Sequence, residues 1–381
     1  MEHTQKIIID SHQGRKQRNV LVGMSGGVDS TVAAFTLMRK GFQVEGLHFL
    51  NGFPCKRAYD AQKAADHLHI PLHIIDVSHI FRKEVADYFV MEYRKGRTPN
   101  PCVVCNKKVK FTILLAEARK RGFDHVATGH YARIDYDDSQ NIFKLLAGKD
   151  KNKDQSYFLF LLEQNDLARL LFPNGDKTKK EIRELAVKIG LDFKKQEESQ
   201  EICFIPDNNY RSFIKNYDSS CGPVSGWIVD KRGEIMGRHE GIFSYTIGQR
   251  RGLKIASTRP YYVVEIDAAK NEVIVARQEE QGSQGLIAKN VCWSSSDIMT
   301  DRTIEAVTRI RYRHAGADSI IKPLNVSFIC MSDIPANTDG QDYMVLFKEP
   351  QNAVAPGQAA VFYQEDRVIG GGWIERSLGV E

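Results

Sequence analysis

One stretch constrains this chain more than any other: an apolar run stops at a glycine-rich turn and restarts as a helix. Residues 20–24 read VLVGM and residues 25–30 read SGGVDS; TVAAFTLMRKG then follows with helical apolar spacing up to Gly41. The same alternation continues. FQVEGLHFL (42–50) reads as a second strand, KRAYDAQKAADHLHI (56–70) as a helix and PLHIIDV (71–77) as a third strand. HIFRKEVADYFVMEYRKG (79–96) and FTILLAEARKRG (111–122) read as amphipathic helices, and DHVATGH (124–130) as another strand end. Strands alternating with helices at this pace predict a parallel sheet wrapped by helices, an α/β class.

The turn itself has the chemistry of an anion site. Two glycines let the backbone approach a phosphate closely, and the following helix N-terminus presents amide donors and a positive dipole. Ser25 and Ser30 add hydroxyl donors, and Asp29 supplies a carboxylate for a magnesium ion bridging phosphates. A bare GG would fit a plain strand–helix turn capped by a serine; six such residues directly after VLVGM do not. The pattern is neither GxxxxGK[ST] nor GxGxxG. It resembles the PP-loop of ATP pyrophosphatases. That resemblance implies a Rossmann-like, adenine-nucleotide-hydrolase-like domain that cleaves ATP between its α and β phosphates and adenylates a substrate oxygen.

Beyond residue 207 the texture changes. Gly-rich segments with short β-like runs (GWIVD, EIMGRHEGIFSYT, YYVVEID, NEVIVAR) extend from Tyr210 to about Glu280. TIEAVTRIRYR, LNVSFICM, YMVLF and QAAVFYQ continue to the end. Their spacing predicts small β-domains or a barrel. The expected division is a polar tail over 1–18, the ATP domain over 19–206, a central domain over 207–283 and a β-barrel over 284–381. A length of 381 residues accommodates this. The 53 Lys+Arg against 48 Asp+Glu leave +5, which permits nucleic-acid binding without demonstrating it. Composition excludes a disordered or collagen-like chain. With no apolar run of about 18 residues, no spanning helix is expected. The first residues lack a secretory leader, so the expected compartment is the cytoplasm.

Seven cysteines, an odd count, argue against a disulfide framework. Cys102 and Cys105 form a C-x-x-C in GRTPNPCVVCNKKVKF (96–111). Pro99 and Pro101 predict an extended loop before the helix. Lys107, Lys108 and Lys110 follow, so an electropositive site with lowered thiol pKa values is expected. No second C-x-x-C completes a zinc site. Cys203, in SQEICFIP, reads on its own as a small buried hydrophobe.

The motifs SGGVDS, GRTPNPCVVCNKKVKF, ATGHYAR, KDQSYFLF, ICFIP, YTIGQRRGL, RIRYR and APGQAAVFY occur in this order. Together they resemble the tRNA-specific 2-thiouridylase family from about Asn19 to the C-terminus. The resemblance implies ATP-dependent thiolation of C2 of the wobble uridine. The implied fold is a PP-loop domain, a small central domain and a C-terminal β-barrel. ATP would be bound by Gly23, Met24, Ser25, Gly26, Gly27, Val28, Asp29 and Ser30, with Phe49 and Gly129. His130, Lys153, Asp154, Gln155, Arg311, Tyr312 and Gln358 would contact tRNA, with Asn100, Pro101 and Cys102 beside the target base. Cys105 would be the nucleophile and Cys203 the carrier of a persulfide sulfur. Implied partners are the anticodon stem-loop of tRNA and a sulfur donor: a persulfide relay protein, a cysteine desulfurase or sulfide.

One position departs from the family. Many members carry an aspartate three residues before the nucleophilic cysteine; here it is Cys102. Two consequences stand open. Cys102 is an alternative thiol in sulfur transfer or disulfide resolution, or Cys102, Cys105 and Cys203 ligate three irons of a [4Fe–4S] cluster whose fourth iron binds sulfide. The stretch after Phe49, NGFPCKRAYDAQ, is also abbreviated. Two rival readings compete: a PP-loop enzyme acting on another RNA or a small molecule, and an iron–sulfur or RNA-binding protein without ATP chemistry.

Overall fold

The computed structural model describes residues 18–53, 57–191, 202–217, 224–298, 302–324 and 341–379. The first sheet is parallel, built from β1 (Asn19–Gly23), β2 (Gln43–Leu50), β3 (Leu72–Asp76), β4 (His125–Ala127) and a short strand, Leu170–Leu171. Its order is β3-β2-β1-β4 and then Leu170–Leu171, as expected from the alternation. Val20, Leu21 and Val22 are fully buried, because a parallel sheet is covered on both faces. The direction of strand addition reverses between β1 and β4. Ligands of open α/β sheets bind in the crevice at such a point, beyond the strand C-termini.

Helix α1 (Val28–Arg39) follows the turn and buries Thr31, Val32, Ala33, Ala34 and Leu37. Helix α2 (Arg57–Leu68) crosses to β3. Residues 78–94 form α3, with a π-turn over Arg82–Ala86. Residues 101–121 form α4, with a π-turn over Asn106–Phe111, ended by left-handed Gly122 (φ 75°). This helix starts ten residues earlier than the sequence suggested. Pro101 does not hold an extended loop; it occupies the first helical position, where its missing N–H costs nothing. The segment Tyr210–Tyr217, expected to be β-like, is also a helix.

The β-rich remainder forms two units. A four-stranded sheet joins Gly226–Asp230, Ile235–His239, Tyr262–Asp267 and Glu272–Ala276 around Ile228, Val263, Val273 and Val275. The C-terminal strands Ser283–Trp293, Tyr343–Gln351, Ala317–Pro323, Ile304–Arg309, Ala359–Gln364 and Arg367–Gly379 neighbour one another in that order. The first and last of them pair, closing a six-stranded barrel. Closure removes the exposed edges that so many short strands would otherwise present.

One feature was not expected. A hairpin inside the first 206 residues, Ala132–Asp137 with Ile142–Ala147, joins the barrel's sheet through Arg367 opposite Leu146. Tyr157, Leu159 and Phe160 then pack between Ala359, Val361 and Tyr363 of the barrel and Leu21, Leu47 and Leu114 of the parallel-sheet layer. The two layers share one core.

Candidate active site

A cavity of about 980 Å³ opens at the C-terminal ends of β1 and β4, where the strand order reverses. On one side lies the glycine-rich loop. Ser25 N–H donates to Ser30 Oγ (3.2 Å), and the Ser30 hydroxyl donates to Gly27 O (3.1 Å). The loop thus curls over the start of α1, and no side chain caps that helix. Its first residues, Val28–Ser30, line the cavity, an arrangement suited to an anion. Gly23, Met24, Ser25, Gly27, Val28, Asp29, Ser30, Phe49 and Gly129 all line the cavity. Gly26 does not: its φ is +79°, and a Cβ there would lie 2.6 Å from Ala61 N. Its role is to turn the loop against α2. Gly129 is demanded by space, since a Cβ would come within 2.6 Å of the Asp29 carbonyl carbon.

Helix α4 brings the cysteines to the opposite wall. Asn100 caps it, its Oδ1 accepting from Val103 N–H (3.4 Å). Cys102, Cys105, Asn106, Val109 and Lys110 recur at helical spacing and face the cavity, beside Asn100 and Pro101. Cys203 also lines the cavity and is exposed. The expectation of acidic thiols is corrected here. Burial pushes the Cys102 thiol up to about 11, and the neighbouring Cys203 charge adds to the rise. Burial pushes Cys105 up to about 12 against the opposing pull of Lys110. Desolvation outweighs the cations because only Lys110 of the basic run lines the cavity. Lys107 is turned to Glu163 (2.5 Å) and Asp166 (3.1 Å). Cys292 is exposed on the barrel and outside the cavity, and Cys55, Cys221 and Cys330 lie outside the described residues.

The positions expected at tRNA divide. His130, Lys153, Gln155, Tyr312 and Gln358 line the cavity. Burial holds His130 down to about 3, so the ring is neutral; it sits against Phe111 and Phe172, with Nδ1 2.7 Å from Thr128 Oγ1. Gln155 is tied to Tyr131, its Oε1 accepting from Tyr131 N–H (3.0 Å). Tyr312 lies on Phe158 with ring centroids 4.5 Å apart. Gln358 donates to the carbonyls of Thr98 (3.1 Å) and Pro99 (3.0 Å), pinning the approach to α4 from the barrel. Asp154 stands apart: it is 4% exposed, accepts from Gly148 N–H and Ser156 N–H, and pairs with Arg309 at 2.8 Å. It braces its loop from within. Arg311 lies outside the cavity lining, bonded to Asn352 O (3.3 Å), while Arg313, which the sequence did not single out, lines it.

Two further residues were missed. Lys179 Nζ and the Tyr131 hydroxyl each reach Asp29 Oδ1 at 2.6 Å. Only the fold brings them to the loop.

The three cavity thiols were tested as a cluster site. Among the described residues, no group of three or more Cys, His, Asp or Glu side chains is gathered to hold a metal. This arrangement does not fit the cluster. Among the described residues no helix is long and apolar enough to cross a membrane.

Comparison with known proteins agrees with this architecture. The family profile described as "tRNA methyl transferase HUP domain" matches residues 18–207; the "tRNA methyl transferase PRC-barrel domain" matches 211–277 and the "Aminomethyltransferase beta-barrel domain" 283–374. The tRNA-specific 2-thiouridylase MnmA 2 of Syntrophus aciditrophicus is 49% identical over 342 residues, covering 89% of this chain and 100% of that protein. The tRNA-specific 2-thiouridylase MnmA of Geobacter metallireducens is 43% identical, covering 96% of this chain and 98% of its own length. That of Carboxydothermus hydrogenoformans is 42% identical, covering 96% and 99%. Among solved structures, a 4-thiouridine synthetase–RNA complex with bound ATP overlaps 45% of this chain and 41% of its own, at 19% identity and a TM-score of 0.31. That likeness is too slight to bear on function. On the strength of full-length relatives at 42–49% identity, this chain belongs to the tRNA-specific 2-thiouridylase family.

Proposed function

We propose that this chain is an ATP-dependent tRNA sulfurtransferase that replaces the C2 oxygen of the wobble uridine by sulfur. The observation that carries the reading is that the glycine-rich loop, Cys105 and Cys203 line one and the same cavity. ATP lies with its phosphates on Ser25–Ser30. Asp29, whose carboxylate is 37% exposed at the cavity, would hold a Mg²⁺ ion, which lends charge neutralisation to the leaving pyrophosphate. The extruded uridine sits beside Asn100 and Pro101.

Uridine O2 attacks the α-phosphorus and pyrophosphate leaves, so a poor leaving oxygen becomes part of AMP. A persulfide on Cys203, charged by an external donor, then attacks C2 with its terminal sulfur, and AMP departs with the oxygen. The base is now joined to Cys203 through a disulfide. The Cys105 proton passes to N3 of the base, which gave up its own to solvent when O2 was adenylated, and the Cys105 sulfur attacks Cys203 Sγ; the thiolated base is released and a Cys105–Cys203 disulfide is left. A dithiol or thiol reductant supplies the two electrons that reopen it. The exposure of Cys203 supports its role as the thiol that meets the donor. Lys110 is the cation that favours the Cys105 thiolate when it must act.

The test separates activation from sulfur transfer. Cys203→Ser is expected to abolish 2-thiouridine formation on tRNA while retaining tRNA-stimulated ATP–pyrophosphate exchange. Full thiolation by this variant would sink the mechanism. Anaerobic purification with iron and sulfide assay checks the other branch: a colourless active protein is expected, and about four irons per chain would overturn the persulfide route.

A further inference from the structure

The loop that would receive phosphates carries a negative charge of its own. Asp29 lies in the first turn of α1, where the helix gathers its donors for an anion. A carboxylate and a polyphosphate repel in a cavity of low dielectric unless cations lie between them. One protein cation is already there. Lys179 Nζ sits 2.6 Å from Asp29 Oδ1, its side chain is 13% exposed, and it lines the same cavity as the loop.

Its surroundings are built to hold it in place. Lys179 opens the helix Lys179–Lys188, whose first turn is fixed by a reciprocal cap between Thr178 and Glu181. The Lys179 N–H donates to Asp150 Oδ2 at 2.9 Å. Five residues earlier, fully buried Asn174 donates to Asp29 O (2.9 Å) and Gly129 O (3.1 Å), locking this segment to the phosphate loop. The lysine backbone is therefore fixed against the loop, and its four-carbon stem can redirect the ammonium. Asp29 does not depend on that ammonium alone, since the Tyr131 hydroxyl donates to the same oxygen at 2.6 Å. The carboxylate stays oriented if the lysine turns away.

We infer that Lys179 is a phosphate ligand of this site, resting on Asp29 without nucleotide and turning to an oxygen of the pyrophosphate end of ATP when nucleotide binds. The inference rests on the ATP reading above and deepens it. No covalent bond changes in the step; one ammonium exchanges a carboxylate partner for a phosphate.

Titration calorimetry on the full chain with Mg²⁺, using inorganic pyrophosphate, ATP and AMP as probes, tests it. Lys179→Gln is expected to weaken pyrophosphate binding by about tenfold, the loss of one charge-assisted hydrogen bond, and to leave AMP within about twofold. Lys179→Arg keeps the charge and should recover most of the affinity. Wild-type protein that binds neither ATP nor pyrophosphate would overturn the ATP reading and this assignment together. Wild-type binding with an unaffected Lys179→Gln would overturn the assignment alone, as would equal losses in the Gln and Arg variants. A second readout needs no variant: acylation of wild-type lysines mapped by mass spectrometry. Pyrophosphate, and not AMP, is expected to slow modification of Lys179; an unchanged or faster rate would overturn the proposal.

Discussion

Within the Lys153–Gln155 triplet the middle residue behaves unlike its neighbours. Lys153 and Gln155 line the cavity, whereas the Asp154 carboxylate is spent on Gly148, Ser156 and Arg309. Asp154→Asn would leave the half-buried Arg309 guanidinium without its counter-charge, a loss of about 3 kcal/mol in urea unfolding. Unchanged stability with impaired tRNA binding would contradict this. The thiols carry a second residue-scale expectation. Cys105 is buried and raised to about 12, so it is a neutral thiol at neutral pH, whereas Cys203 is exposed. Iodoacetamide should label Cys203 well before Cys105, and the Cys105 rate should keep rising from pH 8 towards pH 11, as mass spectrometry would follow. The sequence singled out thiols that line one cavity and misjudged the acidity of the two on the helix. Neighbouring lysines are visible in a sequence; which of them turn away, as Lys107 does, is not.

Helix α4 sets how much of the site was legible. The turn from β1 into α1 was readable because periodicity changes abruptly there. Residues 101–110 read as a loop because Pro99 just ahead, Pro101 and three lysines hide an apolar face made of Val103, Cys105 and Val109. The hairpin at 132–147 did leave a trace: Ala132 and Ile134 alternate with more exposed neighbours, and DDSQN supplies a turn. Lys179 left none, since its partner Asp29 is 150 residues away. The cap of α4 is testable at this scale. Asn100→Ala removes the side-chain acceptor at Val103 N–H and should cost about 1 kcal/mol in thermal unfolding. Because Cys102 and Cys105 ride on the first turns of that helix, thiolation should fall further than stability alone accounts for.

At the scale of the molecule, the barrel is structurally inseparable from the parallel sheet. Tyr157, Leu159 and Phe160 need Ala359, Val361 and Tyr363 to cover them. A chain cut after residue 283 is expected to be insoluble or to bind a hydrophobic dye strongly, and a soluble, ATP-binding fragment would refute the shared core. Arg97 adds to the junction through Glu375 (2.9 Å). Gln358 holds the two carbonyls just ahead of α4. That last contact gives the protein a timetable. The partners that hold the glycine-rich loop, Asn174 and Lys179, are synthesised early, but the segment before the cysteines gets its barrel support only after residue 358 emerges. At roughly 5–20 residues per second, the interval between synthesis of Cys105 and its final setting is on the order of tens of seconds. The contacts of the nucleotide loop are thus made available early in synthesis and those of the cysteine helix last.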